Sequence, residues 1–212
     1  HTQIMKEVLP EIIIMPNVGN RAMMWQETSG VKRDTPARFT FPILTVGDLS
    51  QMMLETVGRY RWEICRKIMG VRWNDIREKS LTSEFYDYVQ FYRKNSELTA
   101  GAKEKLKADI IHAKNNYREV FVMDYISWMK YEAQGNFRLN KVSRRIIAEH
   151  VPFPKEIRNK LGDNPMYKEL FAKSEILRKR KKDNEKLLFD RYLSAGGKLT
   201  PELEAHLQFY DM

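Results

Sequence analysis

The stretch DLSQMMLETVGRYRWEICRKIMG, residues 48–70, decides the fold class. Leu49, Met52, Met53, Thr56, Val57, Tyr60, Ile64 and Ile68 recur in it at helical steps, mostly three or four residues, so they line one face of an α-helix. Asp48 stands where a short acidic side chain can accept hydrogen bonds from the free N–H groups of the first turn. Gly70 is a natural stop, because glycine tolerates the left-handed conformation that ends helices. Cys65 falls on an apolar point of this helix and reads as core packing rather than as a nucleophile.

The same periodicity continues downstream. It predicts a second helix over residues 83–95 and a third, the longest of the central part, over 99–134, ended by Gly135. Asn140 opens the next helix, and Pro152-Phe153-Pro154 breaks it. A short helix then runs to Gly162, and Asp163-Asn164-Pro165 opens a long one to about Ala195, closed by Gly196-Gly197. Thr200-Pro201-Glu202 caps a last helix. Upstream, the pattern differs. Glu11-Ile12-Ile13-Ile14-Met15 is a β-branched run closed by turn chemistry at Pro16-Asn17-Val18-Gly19-Asn20, and Arg38-Phe39-Thr40-Phe41 alternates until Pro42. The expected fold is mostly α: an irregular multi-helix bundle with a short loop- and strand-containing N-terminal segment. The expected divisions are residues 1–46, loop-rich and joining something upstream; 47–135, a helical core; and 136–212, a basic helical part.

Composition limits the function classes. Of 212 residues, 42% are hydrophobic and 11% aromatic, enough for a packed core. A single cysteine permits neither an internal disulfide nor a cysteine-rich zinc site. No apolar run approaches the roughly 20 residues that span a bilayer. The start, His1-Thr2-Gln3-Ile4-Met5-Lys6, has no signal-peptide pattern and no initiator Met, so the expectation is a cytoplasmic segment of a longer protein. Net charge is +9 and uneven: residues 99–212 hold 23 Lys+Arg against 16 Asp+Glu, whereas residues 1–98 hold 14 against 12. An excess of that kind suits an acidic partner.

Catalytic and cofactor patterns fail on inspection. Gly196-Gly197-Lys198-Leu199-Thr200 resembles the end of a phosphate-binding loop, but Tyr192 holds the place of the required earlier glycine, and a helix precedes it where a strand is needed. The histidines are His1, His112, His150 and His206. Asp109 with His112 and Glu202 with His206 share helix faces, yet no Glu-x-x-His pair occurs, so no metal, cofactor or catalytic residue is assigned. Glu63, Asp75, Glu84, Asp87 and Asp124 lie near aromatics, and a carboxylate-lined helical pocket among them is the least favoured reading.

Two regions stand out as contact candidates. Arg59, Arg61 and Trp62, with Trp73 nearby, combine the residue types that dominate interface hot spots; a Trp-anchored core with Arg–Glu pairs on its rim is the plainer reading. Trp25 sits in the segment Asn20–Gln26, which reads as a loop that either exposes its aromatic or folds back on the bundle. The run Arg178-Lys179-Arg180-Lys181-Lys182 lies in a helix stretch that is polar all round, so it reads as a solvated face, with nucleic acid as the alternative. Arg144 and Arg145 would join that basic surface in a weak helix-turn-helix pattern over 140–161. The leading expectation is a non-catalytic helical interaction or regulatory module of a larger protein, contacting a protein partner or the rest of its own chain. The alternative is a nucleic-acid-binding module using residues 138–182.

Overall fold

The computed structural model describes residues 10–27, 35–151, 155–201 and 204. The chain forms two compact units, one spanning Val8–Val151 and the other built from Pro152–Met212. The mostly α character holds: among the described residues, seven α-helices follow a small N-terminal sheet. The sheet contains β1 (Glu11–Gly19), β2 (Met23–Trp25) and β3 (Arg38–Thr45) in the order β1-β3-β2. β1 runs parallel to β3, with Ile12 beside Phe39 and Ile14 beside Phe41, and β2 runs antiparallel to β3. The register slips between Met15 and Val18. Pro16 lies there, and its missing N–H cannot continue the ladder. The segment read as a loop thus contains a three-residue strand.

α1 (Leu49–Met69) begins as its sequence demands, with the Asp48 side chain accepting from the Gln51 N–H at 3.1 Å. It ends at Gly70, whose φ of +57° lies where a Cβ is disfavoured. α2 (Leu81–Gln90) is shorter than expected and starts earlier, because Ser80 and Ser83 form a reciprocal capping box. The long helix expected over 99–134 is two helices: α3 (Ala100–His112) and α4 (Tyr117–Lys130). Lys114 and Asn115 between them take positive φ, a conformation that asparagine accepts more readily than most residues. Asn116 then caps α4 by accepting from the N–H groups of Arg118 and Glu119. α5 (Lys141–His150) starts at an Asn140 cap. In the second unit, α6 (Lys155–Gly162) precedes α7 (Pro165–Ser194), which has its proline in the first turn as predicted. The last helix, read from Thr200, falls mostly outside the described residues, as does His206.

The core of the first unit is aromatic. Trp62 of α1 meets Phe121 of α4 at 5.6 Å and Phe85 of α2 at 6.2 Å between ring centroids. Gly58 lets α4 approach α1: a Cβ there would stand 3.0 Å from Tyr125 Cδ1. A second cluster of Ala37, Phe39 and Tyr60, with Met24, Phe41, Val57 and Ile64 against it, fastens the sheet to α1. Polar burial is anchored at Glu132, which is wholly inaccessible. Its carboxylate accepts from the Arg138 and Leu139 N–H groups and from the Arg144 guanidinium at 2.8 and 3.1 Å. Removing one partner strands a charge away from water, which is far costlier than losing an exposed pair. Glu132→Ala is therefore expected to destabilise the first unit by about 3–5 kcal/mol in urea unfolding, well beyond the loss for Glu104→Ala on the surface.

Candidate functional site

The contact candidates separate once side chains are placed. Trp62 is 2% exposed, and its ring serves the core rather than a partner. Trp73 is half-buried, edge-on to Trp62 and Tyr86, with the Arg66 guanidinium 5.0 Å over its ring. Arg59 is half-buried and grips Glu119 through two nitrogens at 3.0–3.2 Å. Arg61 is half-buried beside Tyr125. Trp25 alone of the five is widely exposed, and its indole N–H donates to Glu27.

Other apolar residues in this part of the chain are exposed as well, a feature the sequence only hinted at. Every residue of β1 before Gly19 is exposed, including the consecutive Ile12, Ile13, Ile14 and Met15. Ile43, Leu44 and Val46 at the end of β3, Met23 of β2 and Leu49 and Met53 of α1 are exposed as well. Ile12 and Ile14 share a sheet face with Phe39 and Phe41, which pack on α1, but they lie one strand further out. β1 is the sheet's outer strand, and no described strand pairs with its other edge. Such edges are normally blunted by charge or proline. Between Glu11 and Pro16 this one carries neither.

The basic candidates also divide. Arg144 is buried against Glu132 and cannot neutralise a phosphate without exposing that carboxylate. Arg145 is half-buried. On α7, Lys179 and Arg180 are exposed and Lys182 is half-buried, while the side chains of Arg178 and Lys181 lie outside the described residues. Arg144 and Arg145 belong to one compact unit and the run 178–182 to the other. Among the described residues, no helix is long and apolar enough to cross a membrane.

The five carboxylates do not converge in one ion-pair network. Glu63 meets Arg66 and Arg118 at 3.1 and 2.9 Å, and Asp75 meets Arg77 at 2.7 Å. Asp87 is half-buried on α2. Asp124 lines a cavity of about 340 Å³ with Asp109, Tyr88, Lys105 and Asn140, where the Asn140 amide donates to the Tyr88 hydroxyl. Burial raises the Asp124 carboxyl to about 7, the Ser143 hydroxyl that donates to it works against this, and nearby Asp109 adds to the rise. Burial pushes Asp109 up too. The cavity thus holds a proton at pH values where an exposed aspartate has lost it.

Glu84 is grouped differently. α2 carries it to the last turn of α5, where Glu149 and His150 stand, and donor atoms from the three lie within 4.8 Å of one another. His150 Nε2 is 3.5 Å from Glu84 Oε2, an ion-pair distance, and neither buried atom makes a well-formed hydrogen bond. The Glu84 carboxyl is held below its ordinary range by His150 beside it, with burial opposing and Arg145 and Lys79 reinforcing. Sequence reasoning considered Glu84 and His150 separately and passed over Glu149, because the residues joined here are 65 and 66 positions apart.

For Asp124 the linkage has a definite sign. Its folded pKa lies above the ordinary 3.8, so the folded chain binds more protons than the unfolded one between 3.8 and about 7. Stability therefore falls as pH rises through that window. The urea midpoint of Asp124→Asn is expected to vary less over the window than that of the parent chain; equal slopes would show that Asp124 ionises normally.

No curated protein and no solved structure matches this chain. A family profile does match residues 70–210, from the turn after α1 through α7 and beyond, which is more than half of the chain. The α2–α5 core, the Asp124 cavity and the Glu84–Glu149–His150 group all fall inside the matched segment, whereas the sheet and α1 precede it. On that match the chain belongs to the family described as Domain of unknown function (DUF8509).

Proposed function

We propose that the chain is a non-catalytic interaction module whose N-terminal sheet is its contact surface, and that the strand added there is β1 of a second copy. The open edge of β1, apolar and uncharged from Ile12 to Met15, carries the reading. An exposed strand edge offers unpaired N–H and C=O groups, and a further strand satisfies them while covering the side chains on both faces. The Ile12–Met15 edge is self-complementary: antiparallel pairing about a two-fold axis through Ile13 sets Ile12 against Ile14 of the other copy. Such a contact closes on itself and produces a dimer rather than a filament. The placement of Glu63 and Asp75 in separate ion pairs, apart from Asp124, supports a non-catalytic role.

Sedimentation velocity of the purified chain is expected to show a monomer–dimer equilibrium that shifts with concentration, with β1 amides exchanging more slowly as dimer forms. Ile14→Lys, on an exposed side chain, should leave the chain monomeric with unchanged circular dichroism. A chain that stays monomeric at every concentration, with β1 amides always exchanging freely, overturns the reading.

The exposed Lys179 and Arg180 of α7 favour a second reading, phosphate neutralisation on nucleic acid. Under it, labelled oligonucleotides bind with an affinity that falls steeply with salt, and Lys179→Glu with Arg180→Glu abolishes the anisotropy change. Absence of binding at low salt removes it.

A further inference from the structure

We propose that Glu84, Glu149 and His150 form a binding site for a divalent transition-metal cation of the zinc type. Two carboxylates and one imidazole supply oxygen and nitrogen donors of the kind zinc takes, and together with a dication they are electrically balanced. The donor atoms already lie within 4.8 Å of one another. At metal–ligand distances of about 2.0–2.2 Å, tetrahedral donors stand about 3.3–3.6 Å apart, so side-chain adjustment of about an ångström completes the site. The 3.5 Å between His150 Nε2 and Glu84 Oε2 already equals that spacing.

The geometry of the buried pair within the cluster points to a ligand. The His150 side chain is 9% exposed, and its Nε2 faces Glu84 Oε2 at an ion-pair distance of 3.5 Å, yet neither buried atom reaches good hydrogen-bond geometry. Buried polar atoms without partners are costly and uncommon. A direct ion pair between a protonated imidazole and the carboxylate is the competing explanation. Charge-assisted N–H···O contacts close to about 2.7–2.9 Å, and this pair is held well outside that range. A cation bonded to both atoms accounts for the separation and for the missing hydrogen bonds together. With three protein donors, at least one coordination position remains for water or an incoming ligand, unlike a closed structural site. Calcium, which takes six to eight oxygens, is poorly served by so few donors and an imidazole.

The test uses the full chain, stripped with chelator and titrated with zinc by calorimetry and with cobalt(II) by visible absorption. A single saturable equivalent is expected, with the intense d–d absorption of low-coordinate cobalt and a zinc-dependent rise in melting temperature. His150→Gln, Glu84→Gln and Glu149→Gln should each weaken zinc binding at least tenfold. His112→Gln, on α3, should bind as the parent does. Circular dichroism of the chelated variants separates misfolding from lost ligation. No saturable binding, or binding that His150→Gln and Glu149→Gln leave unchanged, overturns the proposal and leaves Glu84 and His150 as an ion pair.

Discussion

The Trp62 ring lies between Phe121 and Phe85, in edge-on contact with Phe85 and tilted against Phe121, and so binds α1, α4 and α2 at one point. Three helices from separate parts of the chain meet on a side chain that is almost wholly inaccessible. Aromatic pairs at these separations add an orientation preference to the area they bury, so they set the angle of the helices as well as their proximity. The rest of the first unit is arranged around that contact. Gly58 admits Tyr125 closely on one side of α1, and Tyr60 fastens Phe39 and the sheet on another. Side chains at nearby positions of one helix thereby serve two apolar clusters.

Polar groups are then fitted to what this packing leaves. Glu132 is deep enough that it is tenable only with the Arg144 guanidinium and two backbone N–H groups on its oxygens. Asp124 is also buried, and that burial, opposed only by the Ser143 hydroxyl and the more distant Lys105, raises its carboxyl to about 7. Glu84 is intermediate, with an imidazole placed too far for a good hydrogen bond. These environments lie within one small helical unit and range from a fully paired anion to a carboxyl raised by burial.

The sheet obeys a different constraint. β3 is covered on one face by α1, but β1 extends beyond that cover, so its apolar residues stand in water on both faces. An interior strand would be expected to hide Ile12 and Ile14. The segment matched by the family begins after α1, so the exposed edge and the buried polar group lie in different portions of the chain.

Local spacing along the chain was sufficient for the helical class, for the caps at Asp48, Asn140 and Asn164, for the stop at Gly70 and for the strands over Glu11–Met15 and Arg38–Phe41. Those features depend on neighbours within a turn or a strand, and periodicity reports such neighbours directly. It could not report that Lys114 and Asn115 would break the long helix, since apolar residues on either side kept the pattern continuous. Tertiary structure alone decided that Trp62 is core while Trp25 is exposed, and that Arg144 turns inward to Glu132. It also decided that Glu84 reaches Glu149 and His150. Each of these outcomes depends on which distant segment arrives beside a residue, and that is set by packing across the whole unit.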